Sequence, residues 1–226
     1  IVDNLAALIA QLLIGFLEPA DYVSYNILAL VCCASLLPLT LTKIKEPETP
    51  TAPRLRPKLA LYRSPLAVAG VLVAAVSGAT FRMVGPIFGA EVGLQVEQIA
   101  YFLSAFIFGG ALAQYPVGWL ADKYDRRWVL IWLSAAAIVS SMISTSMSDN
   151  STLGIFLIAF GFGFTTFPIY SVAAAHAHDF ASLNERVELS ASLLFYYAIG
   201  AIAAPLFASF LMDSFGPNAM FVLIAF

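Results

Sequence analysis

Gln114-Tyr115-Pro116-Val117-Gly118-Trp119-Leu120-Ala121-Asp122-Lys123-Tyr124-Asp125-Arg126-Arg127 joins two long apolar runs, 98–119 and 128–147. A helix needs about 20 apolar residues to cross about 30 Å of hydrocarbon, and both runs have that length. The quoted stretch therefore reads as a tight, highly charged hairpin between two membrane helices, with Asp122, Lys123, Asp125, Arg126 and Arg127 crowded at its tip.

Working outward, further apolar runs fall at approximately 4–17, 22–42, 65–88, 152–175 and 189–212, and a last one from Phe215 to Phe226 stops short. Seven full spans and one partial span predict an all-α, polytopic transmembrane bundle. Composition agrees. Of 226 residues 61% are hydrophobic and 11% charged, and the mean hydropathy is +0.87, whereas a soluble domain carries roughly 25% charged residues. The formal charge of −3 leaves no basic footprint for nucleic acid. Cys32 and Cys33, adjacent inside an apolar run, cannot build a disulfide framework and read as buried small hydrophobes. The first run lacks an initiator Met and a basic leader, so it does not read as a signal peptide. Both ends look cut, which suggests a piece of a longer chain.

The scarce basic residues assign the sides. Breaks 43–64, 120–127 and 176–188 hold Lys43, Lys45, Arg54, Arg56, Lys58, Arg63, Lys123, Arg126, Arg127 and Arg186, while the opposite breaks carry Glu18, Asp21, Glu91, Glu97, Asp149 and Asp213. Lys and Arg are enriched in cytoplasmic loops, so linker 43–64 and loop 120–127 are expected inside the cell. Pro47, Pro50, Pro53 and Pro57 exclude a span from 43–64, which reads as a hinge between two helix groups. Its basic residues can also touch anionic lipid.

A weak internal repeat follows. Gly78-Ala79-Thr80-Phe81 with Pro86-Ile87-Phe88 parallels Gly163-Phe164-Thr165-Thr166 with Pro168-Ile169-Tyr170. Each opens a group of three spans, 65–147 and 152–226, and three is odd, so the groups cross the membrane in opposite senses. Interrupted helices at corresponding places of an inverted repeat point to a transporter's substrate path. The alternative is the general richness of membrane helices in Gly and Pro.

The quoted hairpin resembles the signature of the major facilitator superfamily: a glycine, three residues, an aspartate, a basic residue, then a basic pair. Gly118, Asp122, Lys123, Arg126 and Arg127 fall on it, and Asp125 stands where glycine is common. In the superfamily this signature follows the second helix and, more weakly, the eighth. The resemblance thus implies that 1–42 holds the last two helices of an amino-terminal six-helix half, 43–64 the central cytoplasmic linker, and 65–226 the carboxyl-terminal six-helix half, truncated in its last helix. Phe167 to Ser171 and Ala175 to Asp179 are similar to the YcaD-like branch of bacterial members, with His178 where asparagine is expected.

Each residue of the hairpin also has a physical reading. Gly118 lets a neighbouring helix approach closely. Asp122 can meet a helix N-terminus or an arginine, and Arg126 and Arg127 can form bidentate pairs, making the loop a latch that closes in one conformation. Asp3 is the nearest carboxylate candidate for either arginine. The alternative is a solvated orienting loop.

Arg82 is the one basic residue inside a span, about 25 Å from Pro65 along the helix and so near the outer side. It reads either as an anion-attracting group or as an outer-gate partner of Glu91 or Glu97, with interface anchoring as the alternative. Thr165, Thr166, Tyr170, Tyr196 and Tyr197 can line a polar path or a gate; aromatic packing explains them too. His176, His178 and Asp179, near Glu188, can relay protons, or the histidines can simply favour a helix C-terminus. Gly200 and Pro205 can bend a helix at a gate, and Gln11 and Gln114 can bond across helix interfaces.

No metal site, cofactor or catalytic triad is expected, and apart from Asp3 every Asp and Glu lies in a loop or at a span end. The expected function is transport of a small solute by alternating access, as a secondary active transporter or facilitator of the bacterial inner membrane, monomeric when complete and with a proton as the candidate coupling ion. A membrane-embedded enzyme and a non-transporting receptor or scaffold are the alternatives.

Overall fold

The computed structural model describes residue 6 and residues 8–10, 22–42, 54–146 and 151–225. From residue 22 on, eight α-helices follow in order among the described residues: α1 Tyr22–Leu41, α2 Pro57–Arg63, α3 Pro65–Glu91, α4 Val96–Lys123, α5 Arg126–Ser146, α6 Thr152–Asp179, α7 Arg186–Phe215 and α8 Ala219–Ala225; α2 and α8 have seven residues each. There is no strand among the described residues. Helices α3 to α7 are each long and apolar enough to cross a membrane. The protein is an integral membrane protein with a polytopic helical bundle.

The helices run past the apolar stretches because local chemistry extends them. Ser64 caps α3, its hydroxyl accepting from the Ala67 N–H at 3.2 Å, and Pro65 follows at the first helical position, where a missing N–H is harmless. Ser151 caps α6 in the same way through Gly154. Gln95 and Gln98 form a capping box at α4. Gly93 and Gly216, at φ of +84° and +87°, supply the turns after α3 and α7 that a side chain would strain. Charged residues consequently sit on helical turns that project beyond the hydrocarbon.

Successive helices alternate direction, which gathers Arg54, Arg56, Arg63, Arg126, Arg127 and Arg186 at one end of the bundle and Glu91, Glu97 and Asp213 at the other. Packing partners are exchanged between the two three-helix groups. Helix α4 packs most extensively on α6, α3 on α7, and α5 on α6 and α8, while α3 with α4, α4 with α5 and α6 with α7 touch little. Swapping α3 with α6, α4 with α7 and α5 with α8 maps the α3–α7 pair onto the α4–α6 pair. An inverted repeat has this pattern.

Small residues make those crossings possible. A Cβ built on Gly109 of α4 would lie 2.1 Å from the Phe160 carbonyl oxygen, and one on Gly163 of α6 would lie 1.9 Å from that of Phe106. Backbone meets backbone there. At the corresponding α3–α7 crossing, a Cβ on Gly200 would be 2.9 Å from the Ala75 Cβ. Gly200 is therefore a packing glycine, and α7 is one unbroken helix through Gly200 and Pro205. Helices α3 and α6 likewise continue through Gly78, Pro86, Gly163 and Pro168. The expected interruptions of helical structure are not present. Thr165 and Thr166 turn their hydroxyls back onto the carbonyls of Gly161 and Phe162.

Toward the acidic end the interior is filled by a stack of Phe81, Phe102, Phe106 and Phe162, with the Phe81 and Phe106 rings 4.0 Å apart. Toward the basic end a second core of Ala, Val and Leu joins α2 to α7.

Two expectations change. The linker ends in helix α2, which Pro57 starts; Ala60 is buried in the second core, and Arg63 bonds both Glu185 oxygens at 2.7 and 2.8 Å. Hydrogen bonding to Glu185, and then its charge, push the Arg63 guanidinium further up from its usual range. Cys32 and Cys33 are exposed on α1 rather than buried, because α1 has no extensive contact with another described helix and its apolar surface faces outward. Residues 43–53 and most of the first apolar run, including Asp3 and Gln11, lie outside the described residues.

Candidate functional site

Four helices line an open-sided cavity of about 330 Å³ formed by Ala74, Gly78 and Arg82 of α3, Gln114 of α4, Thr166, Phe167, Tyr170 and Ser171 of α6, and Leu194 and Tyr197 of α7. Gly78 is the middle residue of α3, and Arg82 lies one turn, about 6 Å, beyond it. Gln114, Tyr170 and Tyr197 lie about one turn to the basic side of their own helix centres. The cavity is thus at mid-height of the bundle. Its position follows from the packing. The glycine crossings hold the helices together at the centre, and the bulky Tyr170 and Tyr197, edge to face at 5.4 Å, leave space beside them.

Of the residues expected to form a polar path, Arg82, Thr166, Tyr170 and Tyr197 converge on this cavity. Thr165 and Tyr196 do not; the Tyr196 hydroxyl donates to the Pro57 carbonyl at 3.2 Å and secures the linker. Gln114 and Ser171 belong to the lining as well. Gln114 forms no hydrogen bond with another described residue, so the interface role expected for it is not realised there. Sequence periodicity alone did not separate it from its neighbours on α4.

Helix α3 runs from Pro65 to Glu91, so Arg82 stands four residues, about 6 Å, past its middle residue; it is exposed, and its Cζ sits 5.3 Å from the centre of the Phe167 ring. It makes no ion pair with Glu91, Glu97 or any other described carboxylate.

The hairpin that decided the fold forms a second site at the basic end. Asp125 caps α5, accepting from the Arg127 N–H at 2.9 Å with its side chain and from the Trp128 N–H at 3.0 Å with its carbonyl. That explains an aspartate where glycine is common: the turn needs a cap and no left-handed residue. Arg126 reaches from α5 to α6, donating from Nη1 to Asp179 at 2.5 Å and to the Ala175 carbonyl at 3.3 Å, and from Nη2 to Asp122 at 3.3 Å. Arg127 lies over the Phe180 ring at 5.8 Å, and Lys123 over Trp119 at 4.7 Å.

Arg126 is the centre of this cluster, and Asp179 is its main partner. Gly118 carries no close helix, since a Cβ there would meet nothing within 4 Å among the described residues. The expected relay of His176, His178 and Asp179 is not connected. Asp179 is held by Arg126, His178 Nε2 faces the Ser190 hydroxyl at 3.1 Å, and His176 is buried against Phe180. No cluster of metal-ligating side chains occurs among the described residues.

Comparisons with known proteins agree with this architecture. The profile of the Major Facilitator Superfamily matches residues 66–226. The uncharacterized MFS-type transporter YcaD of Salmonella heidelberg (strain SL476) is 28% identical over 194 residues, which is 85% of this chain and 50% of that protein. YcaD of Escherichia coli O17:K52:H18 is 27% identical over the same length, and an uncharacterized MFS-type transporter of Enterobacter sp. (strain 638) is 28% identical. The chain spans about half the length of the curated relatives it matches. No solved structure matches it.

Proposed function

This chain belongs to the Major Facilitator Superfamily, and from that premise we propose that it forms part of a carrier that moves a small solute across the membrane by alternating access. The matched relatives are named as transporters, which sets aside an enzyme. The observation that supports transport most strongly is the cavity between α3, α4, α6 and α7. It lies at mid-height of the bundle, and the Tyr170 and Tyr197 hydroxyls, the Gln114 amide and the Arg82 guanidinium that line it have no hydrogen-bond partner among the described residues. Polar groups at that depth are expensive to leave unbonded, and a solute can bond them.

In this reading residues 1–42 are the end of one six-helix half, 43–64 the linker, and 65–226 most of the other half. The basic end, with α2 and the Arg126 cluster, faces the cytoplasm of a bacterial cell, as the charge distribution favours. The Gly118 to Arg127 loop is the latch, with Arg126 as its working group. All described carboxylates lie at helix ends, so any coupling proton is carried by groups outside the described helix centres. The carrier works as a monomer in the lipid bilayer.

The test uses the complete protein in sealed proteoliposomes, screened with radiolabelled amino acids, sugars, carboxylates and nucleosides. Saturable uptake with counterflow, abolished by permeabilising the vesicles, is the expected result. Gln114→Leu should then lower the initial rate about tenfold, the loss of one or two buried hydrogen bonds. Specific binding without flux across every class would point to a receptor and sink the transport reading.

The linker contact gives a milder prediction. Ser192 donates to the Arg56 carbonyl at 2.8 Å, and Tyr196 donates to Pro57. Tyr196→Phe should destabilise the protein by about 1 kcal/mol and increase trypsin cleavage after Arg54 and Lys58. Unchanged proteolysis would mean that the linker is held by other contacts.

A further inference from the structure

We infer that the solute is a small organic anion, recognised through Arg82. This rests on reading the cavity as the solute site. Among the described residues the cavity wall carries one cation and no carboxylate. Arg82 has no ion pair and no hydrogen bond with any described residue, and its guanidinium lies 5.3 Å from the centre of the Phe167 ring. A charge within a membrane helix is costly unless it faces a partner or a water-filled cavity, and Arg82, one turn past the middle of α3, is exposed on the cavity wall. The nearest acidic groups of α3 and α4, Glu91 and Glu97, lie at the helix ends beyond the phenylalanine stack.

A guanidinium in such surroundings is a ready receptor for a carboxylate or phosphate, which it can hold by two parallel hydrogen bonds. The rest of the lining fits the remainder of a small molecule. Phe167 and Leu194 offer apolar wall, and Gln114, Ser171, Tyr170 and Tyr197 offer donors and acceptors for a hydroxyl or carbonyl. A volume of about 330 Å³ is at the small end of ligand pockets. A cationic solute would meet Arg82 unshielded and is disfavoured by like charge.

Charge selection can be measured without knowing the solute. In the complete protein with Cys32, Cys33 and any other cysteine replaced, a single cysteine is placed in the cavity wall by Ser171→Cys or, separately, Gln114→Cys. Its rate of modification is compared for two thiosulfonates of similar size, the anionic sulfonatoethyl and the cationic trimethylammonioethyl reagent. The expected anionic-to-cationic rate ratio exceeds that of free mercaptoethanol, falls about tenfold in Arg82→Gln and is retained in Arg82→Lys.

A ratio no higher than that of the free thiol with Arg82 intact overturns the inference, and this reading does not depend on any variant at position 82. So does a ratio that Arg82→Gln leaves unchanged, because another group then neutralises Arg82. Failure of both reagents at both positions also overturns it, since a wall closed to small waterborne ions cannot admit such a solute. Counterflow is scored separately: flux without charge selection removes the anion alone, and charge selection without flux removes transport and leaves an anion site.

Discussion

Gly163→Ala should melt far below the parent protein, and Gly163→Leu should yield no monodisperse protein in detergent. The Cβ of alanine would stand 1.9 Å from the Phe106 carbonyl oxygen, a backbone atom of α4 that cannot rotate away as a side chain tip can. Either α4 and α6 separate along their most extensive contact or α4 deforms. Overpacking costs typically 1–3 kcal/mol when side chains can yield, and here the obstruction is backbone, so about 3 kcal/mol or more is expected. Gly161, two residues away, is the internal control. A Cβ there meets nothing within 4 Å, so Gly161→Ala should be neutral or stabilise by up to about 1 kcal/mol through helix propensity. Thermal unfolding followed by size-exclusion chromatography reads both. Equal melting of Gly163→Ala and the parent would show that the two helices do not cross as described.

Arg126→Ala should reduce transport by at least about tenfold while leaving the protein folded. Arg126 joins three acceptors on two elements: Asp122 at the end of α4, and Asp179 and the Ala175 carbonyl on α6. Charge-assisted hydrogen bonds are worth about 1.5–3 kcal/mol each when desolvated, but Asp179 is half exposed and Asp122 is 79% exposed, so solvent screening discounts them heavily. The remaining effect acts on the balance between two conformations, where about 1.4 kcal/mol is a tenfold change in population. Arg126→Lys keeps the charge and loses the fork that reaches both carboxylates, so it should fall between parent and alanine variant.

Asp122→Asn separates two uses of the loop. If Asp122 only meets Arg126 as it does here, the variant should change little; if it engages another element in the opposite conformation, cysteine accessibility at the two membrane faces should shift. Parent-like flux in Arg126→Ala would remove the latch.

How far the sequence carried can be seen in particular residues. Span positions, alternation and the grouping of basic residues at one end follow from hydropathy and charge, which are properties of a helix as a whole. Facing is a different matter. Lipid is as apolar as the interior, so α6 and α7 show almost no apolar stripe, and nothing in the pattern of α4 marked Gln114 as lining rather than packing. The same blindness gives Gly118 a neighbour that no described helix supplies and leaves the roles of Gly109 and Gly163 unseen, since a crossing is a property of two helices. Asp179 was grouped with the nearby histidines by proximity along the chain; its partner Arg126 is 53 residues earlier. Arg82 was recognised as unusual because charge inside a span is visible in one dimension.

The exchange of partners between the three-helix groups has a consequence for biogenesis. As α3, α4 and α5 leave the ribosome they have little mutual contact to settle on, because the heaviest partner of α3 is α7, that of α4 is α6, and α5 rests on α6 and α8. The first three helices must wait in lipid, individually stable as hydrogen-bonded spans, until the second three arrive and slot between them. Truncation before α6 should therefore leave inserted helices that quality-control proteases find, whereas the same helices in the longer chain are shielded as soon as α6 reaches the Gly109 crossing.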